Sequence, residues 1–435
     1  MLIVLSIDGL SATTLGCYGN DWVGTPAIDA LAAESVLFDF ALTDTPSLKA
    51  LRSFWSGRSA VDRHLADERA ATSSSEADGG YSALPVTLKS RRWASLLFTD
   101  DRSILQFPEA AAFDEQVSMN APAVPQTAGE AGATHLAAFF ANAAETIDSF
   151  NGETDAENAC MWLHAGSLAT CWDAPLEYRH RYQEEGDPSP MELAAPPHQR
   201  IARDQSIDPD DLLGLRRAYA GQVALLDEML ETFLSFLHST GKLTNAHFLL
   251  LAPRGFGLGE HHLIGYPGGE FELHEEYLHV PFLWRFPDEL GGDDRHAAEH
   301  VQALVQPADL TATVVDILKM ASGQGNSWPY DAVSLARAIR GEASGCRQLA
   351  MAISPDRQQR DYAIRSAAWH LVQRQCNTSE EPLLFAKPDD IREKNNVAEL
   401  CPQVVRTLQD LARQIISGGV VASRQALDEA LTEPH

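Results

Sequence analysis

Paired cysteines, basic residues and long apolar runs are all scarce in this chain. Its six cysteines (Cys17, Cys160, Cys171, Cys346, Cys376 and Cys401) include no C-x-x-C pair. That spacing argues against zinc and dithiol redox sites and reads as free, buried thiols of a reducing compartment. Lys and Arg number 33 against 61 Asp and Glu, for a formal net charge of -28. Such a surface repels phosphate backbones and anionic headgroups, so neither nucleic acid nor membrane is an expected partner. No apolar run is long enough to span a bilayer. No basic, then apolar, leader precedes the first strand-like residues, and the chain reads as cytoplasmic. Internal repeats are also missing.

What is there is an alternation of buried strands and amphipathic helices. With 435 residues the chain is long enough for one large α/β domain and a smaller appendage. The run Leu2–Ile7 is uniformly apolar, as in a parallel strand covered on both faces, and it stops at Asp8-Gly9. Further runs of this kind end at His164 and Ala252, and Trp93–Asp101 ends in carboxylates. Between them, Thr25-Pro26 opens a helix that runs to Glu34, and apolar spacing over Leu212–Leu237 marks a long helix. Small polar residues between Asp62 and Ala83 predict a mobile loop. The expected fold is therefore α/β, with a mostly parallel central sheet sandwiched by helices over residues 1–345. Residues 346–435 change texture. Leu349–Ile353, Tyr362–Ser366, Trp369–Gln373 and Leu383–Ala386 predict a small antiparallel sheet closed by a helix over Cys401–Ile416.

One stretch stands out for chemistry, Thr43–Arg58. Ser47 and Thr45 offer hydroxyls beside a candidate helix start, with Pro46 favouring the first turn and Leu51, Phe54 and Trp55 forming a buried face. A hydroxyl there faces free backbone N–H groups and suits an anionic ester. Read on its own, the stretch is more simply an ordinary buried helix with a capping hydroxyl, since caps far outnumber nucleophiles.

Several stretches in the same order resemble the sulfatase branch of the alkaline phosphatase superfamily. They are Asp8 after the first strand, Leu15-Gly16-Cys17-Tyr18-Gly19, Thr25–Ala32, Trp172–Tyr178, Tyr219–Asp227, Leu258–His261, Tyr277–Leu283, Asp309–Asp316 and the tail Leu384–Asp390 with Asn395–Ala398. The resemblance implies a divalent metal, Ca or Mg, held by acidic and amide or imidazole ligands, and a formylglycine made from Cys or Ser that attacks the ester sulfur. A hard cation in such a site neutralises the ester oxygens and lowers the pKa of the attacking hydroxyl.

Residue by residue, much of that chemistry is respelled. Asp8 matches the first metal ligand, but its usual acidic or hydroxyl neighbour is Gly9. Ser47 falls at the nucleophile, with Lys49 where Pro or Ala is expected and Leu51 where Arg is expected. Arg52 lies one residue further on, turned by about 100° on a helix. Where the family shows Asp-His-Gly or Asp-Asn-Gly after a strand, this chain has Pro253-Arg254-Gly255. Arg254 repels a divalent ion and is expected in its place, offering its guanidinium fork to an anion. The family's Lys appears as Tyr266 and its second His as Ala169, while His164 matches the first His.

Three readings follow. In the first, the protein keeps the sulfatase fold, has lost metal- and formylglycine-dependent hydrolysis, needs no cofactor, and binds an anionic small molecule or a protein partner through Arg254 and Arg52. In the second it hydrolyses sulfuric or phosphoric esters with Ser47 or Thr45 as direct nucleophile, a Ca or Mg ion, and Asp8, His164 or His261 in support. In the third, Glu260 and His261 perform acid–base chemistry, against the plainer reading of a surface loop with polar pairing.

Overall fold

A computed structural model describes residues 1–72, 83–150, 158–202, 207–267, 272–288, 298–320, 332–342, 347–356, 361–374 and 382–418. Its strands in chain order are β1 (Leu2–Ile7), β2 (Ser35–Ala41), β3 (Ala94–Thr99), β4 (Glu115–Ser118), β5 (Ala159–Ala165), β6 (Gln199–Arg200), β7 (His247–Leu251), β8 (Leu263–Ile264), β9 (Phe282–Arg285), β10 (Glu299–Val305), β11 (Ala350–Ile353), β12 (Tyr362–Arg365), β13 (Trp369–Gln373) and β14 (Leu383–Ala386). Eight of them form the central sheet in the order β10-β2-β9-β7-β1-β5-β3-β4. The middle of this sheet is parallel, β1 pairing with β5 and β7, and β3 with β5 and β4; β9 runs antiparallel to β7 and β2. Every residue of β1, β3, β5 and β7 is buried, as the uniformly apolar runs require.

By internal contacts the chain forms two units, the first comprising Met1–Leu37, Pro85–Glu270 and Val280–His300, the second Phe38–Leu84, Phe271–His279 and Val301–His435. In the first unit the long helix Pro209–Ser239 packs on helices Pro26–Ala33, His135–Ser149 and Leu176–His180. Thr25-Pro26 does open a helix, with Pro26 at its first position, but the Thr25 hydroxyl is not the cap. Thr25 Oγ1 accepts the Gly16 N–H at 2.9 Å, and the free N–H groups of Ala27 and Ile28 donate to the Asp227 carboxylate at 3.0 and 2.8 Å.

In the second unit β11–β14 form a four-stranded antiparallel sheet. Met351, Tyr362, Ile364, Trp369, Leu371 and Leu384 from one side of it share a core with Val405, Leu408 and Leu411 of the closing helix Pro402–Ile416. The loop expected from Asp62 begins instead as a helix, Ala60–Thr72. Local bonds override the polar composition: Ser59 Oγ accepts the Asp62 N–H at 3.0 Å, Asp44 Oδ2 accepts the Ala60 N–H at 2.7 Å, and Arg58 pairs with Asp62 one turn on at 2.8 Å. The remainder of that predicted loop, 73–82, lies outside the described residues, as do Cys346 and Cys376. Cys17, Cys160, Cys171 and Cys401 are free thiols.

Candidate functional site

The carboxyl ends of parallel strands are where open α/β sheets carry chemistry. In the first unit that edge holds, strand by strand, Arg254 beyond β7, Asp8 after β1, His164 at the end of β5 and Asp100 after β3. Gly9 makes the turn after Asp8 at φ +82°, and a Cβ there would stand 3.2 Å from the Ala169 nitrogen. Its N–H donates to the Arg254 carbonyl at 3.2 Å and its carbonyl accepts the Tyr219 hydroxyl at 2.7 Å, so the ends of β1 and β7 are tied together.

The consequence is a fork-on-fork ion pair. Arg254 Nε donates to Asp8 Oδ1 at 2.8 Å and Nη2 to Oδ2 at 2.9 Å, with the side chains 10% and 2% exposed. The Tyr266 ring covers one face of the guanidinium, its centroid 3.4 Å from Cζ, and the Tyr266 hydroxyl donates to the Gly255 carbonyl at 2.5 Å. Burial alone would weaken the hold of Arg254 on its proton, but the Asp8 carboxylate, then Tyr266, reverse this and hold the guanidinium charged. Burial likewise drives the Tyr266 phenol well above its usual range. Tyr266 stacks on His198 at 5.7 Å and meets Phe256 edge-on, and Phe256 packs on Tyr219 and Trp172. The fork expected to face an anion is thus closed on Asp8, and only Nη1 has no hydrogen-bond partner among the described residues.

His164 is wholly buried. Its Nδ1 faces Ser6 Oγ at 3.2 Å across the β1–β5 pairing, while Nε2 has no partner among the described residues. Burial lowers its pKa, against the opposing pull of Asp8, Asp100 and Asp101. A second pair was not read from the sequence: His135 Nε2 faces Asp100 Oδ2 at 2.8 Å, and Asp100 Oδ1 accepts the Gly166 N–H at 2.7 Å. The only sequence signal was Asp100 ending a strand, since nothing local links it to a histidine 35 positions away.

Ser47 and Thr45 belong to the second unit. The helix there begins at Ala50, not at Pro46, and has seven residues. Thr45–Lys49 is a turn, closed by the Ala50 N–H on the Ser47 carbonyl at 2.9 Å and the Lys49 N–H on Ser47 Oγ at 3.3 Å. The sequence misplaced the start because Pro46 fits a turn as well as a first helical residue. Ser47 is 7% exposed and Thr45 1%, and Thr45 Oγ1 has no partner among the described residues. The neighbouring Asp44 carboxyl is buried, with Oδ2 accepting Ser53 Oγ–H at 2.6 Å. Burial raises its pKa against the opposing Arg63. Arg52 sits half-buried on the helix.

Of the Glu260 and His261 pair, Glu260 bonds Arg216 at 3.0 Å and accepts the Leu258 N–H at 3.2 Å. In the second unit Glu275, His370 and Glu393 cluster closely enough to suggest metal ligands. An ammonium already stands among them, Lys387 Nζ lying 2.7 Å from Glu275 and 3.0 Å from Glu393. Arg365 adds a second cation at 2.8 Å from Glu275, and His274 and His370 both bond Glu393 through Nδ1.

Solved structures of the same architecture are numerous. A putative sulfatase from Bacteroides thetaiotaomicron superposes with a TM-score of 0.71 at 14% identity, covering 98% of this chain and 96% of its own. A phosphonate monoester hydrolase of Agrobacterium radiobacter gives 0.68 at 18% identity, covering 96% and 94%. One from Silicibacter pomeroyi gives the same 0.68 at 18%, with the same coverage. No curated protein sequence is significantly similar. The family model described as Sulfatase matches residues 1–320, which is most of the chain. Sheet order and family match agree: the chain belongs to the sulfatase family of the alkaline phosphatase superfamily.

Proposed function

We propose that this member of the family has given up metal- and formylglycine-dependent ester hydrolysis and binds an oxyanion ligand at the carboxyl edge of its first unit. One observation carries the reading. Both oxygens of Asp8 accept from Arg254, so the carboxylate matching the family's first metal ligand already has a fixed cation at contact distance. Gly9 and Pro253 supply no side-chain donor beside it. A hard divalent ion takes six or more oxygens and is repelled by a guanidinium at contact distance, so these residues do not fit one. Lys49 and Leu51 at the conversion motif and the 7% exposure of Ser47 support the same conclusion for formylglycine chemistry. The neighbours named for sulfate and phosphonate esters favour an oxyanion as the ligand class. Arg254 Nη1, the edge left over after Asp8 is bound, is its anchor.

Two measurements test this. Protein equilibrated with Ca or Mg, then desalted, is expected to retain no stoichiometric ion by elemental analysis, and neither ion raises its melting temperature. Bound metal at 100 times Kd would add about 2.7 kcal/mol, which is easily seen. Sulfate or phosphate should raise the melting temperature and appear in a crystal structure within hydrogen-bond reach of Arg254 Nη1. One retained ion per chain, together with aryl sulfate hydrolysis that disappears in Ser47→Ala, would overturn the reading in favour of a rearranged hydrolase.

A further inference from the structure

Two strands along from Asp8, the same edge carries a group whose chemistry needs no metal and does not depend on Arg254. We propose that His135, oriented by Asp100, is a proton acceptor at this edge, taking a proton from water or from a ligand hydroxyl.

The tautomer follows from the partners. Asp100 has a side chain 1% exposed, and its Oδ1 accepts a backbone N–H from Gly166 at 2.7 Å. Its Oδ2 lies 2.8 Å from His135 Nε2. An ionised carboxylate only accepts, so Nε2 carries the imidazole hydrogen and Nδ1 presents a lone pair. Nδ1 has no hydrogen-bond partner among the described residues, and the side chain keeps 6% of its surface.

The ring is also fixed from its own backbone. His135 is the first residue of the helix His135–Ser149, whose start is capped by Thr134 Oγ1 accepting the Ala137 N–H at 3.2 Å. The His135 N–H donates to Asp173 Oδ2 at 2.6 Å. Thus one carboxylate holds the main chain and another holds the ring, which leaves Nδ1 as the imidazole's one available atom. His164 on β5 lacks this arrangement, its Nδ1 facing Ser6 Oγ and its Nε2 having no partner among the described residues.

The step is simple to balance. The O–H bond of water or hydroxyl breaks, its electron pair stays on oxygen, and an Nδ1–H bond forms. Asp100 remains ionised and compensates the imidazolium. With an activated acyl ester as acceptor, the oxygen adds to the acyl carbon, the phenolate leaves, and His135 returns its proton to solvent.

The test uses the full chain with a chelator present. Long-range proton–nitrogen spectra should show His135 as the Nε2–H tautomer. Para-nitrophenyl acetate should be hydrolysed above the buffer rate, with a pH profile that follows the His135 titration in the same spectra. His135→Gln, which can still donate to Asp100, is expected to lower the rate about 100-fold at unchanged circular dichroism. Asp100→Asn should lower it about tenfold or more by releasing the tautomer. No rate above buffer, a rate unchanged in His135→Gln, or an Nδ1–H tautomer would each overturn the proposal. A purely structural pin would show only a lower melting temperature. Because the chelator removes any divalent ion, a positive result stands whether or not the metal-free reading of Asp8 holds.

Discussion

Arg254 and Asp8 are 246 positions apart, and neither is informative alone. A lone Asp after a first strand reads as a metal ligand, and a lone Arg after a later strand reads as an anion anchor. Together they cancel, and the pair is nearly sealed by Tyr266. A buried ion pair adds little net stability over apolar replacements, but removing one partner leaves an uncompensated charge. Asp8→Asn is therefore expected to cost about 3–5 kcal/mol in urea unfolding. Arg254→Lys should also lose stability, because an ammonium cannot make two parallel bonds or stack as a plane on Tyr266. A small change in both variants would show that the pair opens readily and that Asp8 is accessible to other ligands.

At the scale of elements, the turn after β1 decides how closely the strand ends approach. Gly9 is at φ +82°, where L residues are strained, and the Ala169 backbone stands against its missing side chain. Gly9→Ala should cost about 1–3 kcal/mol and loosen the β1–β7 edge. In proton-exchange measurements the Gly9 N–H should lose protection before the amides of β5. The starts of helices show how far local signals reach. Thr25-Pro26 located a helix start correctly while its cap came from Asp227, and Pro46 pointed to a start that the chain makes at Ala50. In the first case a side chain remote in sequence satisfied the free N–H groups, and in the second the adjacent turn at Ser47 did.

Over the whole molecule, charge is handled differently in the two units. The first carries the Arg254–Asp8 fork-on-fork pair and the Asp100–His135 pair at its strand ends. The second buries a network in which Glu393 accepts from His274, His370, Lys387 and the Glu275 N–H. Burial would raise the Glu393 pKa, but His370 and His274 more than offset it, so the carboxyl is held well below its usual range. A carboxylate depressed in this way contributes stability that is complete above its unfolded value and is lost as pH falls. Wild-type protein should therefore weaken progressively below about pH 4.5. Glu393→Gln should cost about 3–5 kcal/mol at neutral pH and show a flatter acid limb in urea melts recorded across pH. An unchanged acid limb would mean that other carboxylates govern acid unfolding.

Strand identity, the long helix, the C-terminal sheet and the kinship to sulfatases were legible because each rests on local periodicity or on short runs of residues. β11–β14 and the helix Pro402–Ile416 lie within a residue or so of where alternation and spacing put them. The respelled positions Gly9, Ser47, Lys49, Leu51, Pro253 and Arg254 were also visible as residues. What they do to one another was not. The bonding of Arg254 to Asp8, the covering of that pair by Tyr266, and the joining of Asp100 to His135 all depend on β7 and β5 flanking β1 and on β3 flanking β5. Sequence sets which chemistry is carried by each strand end, and only the packed sheet sets which strand ends are neighbours.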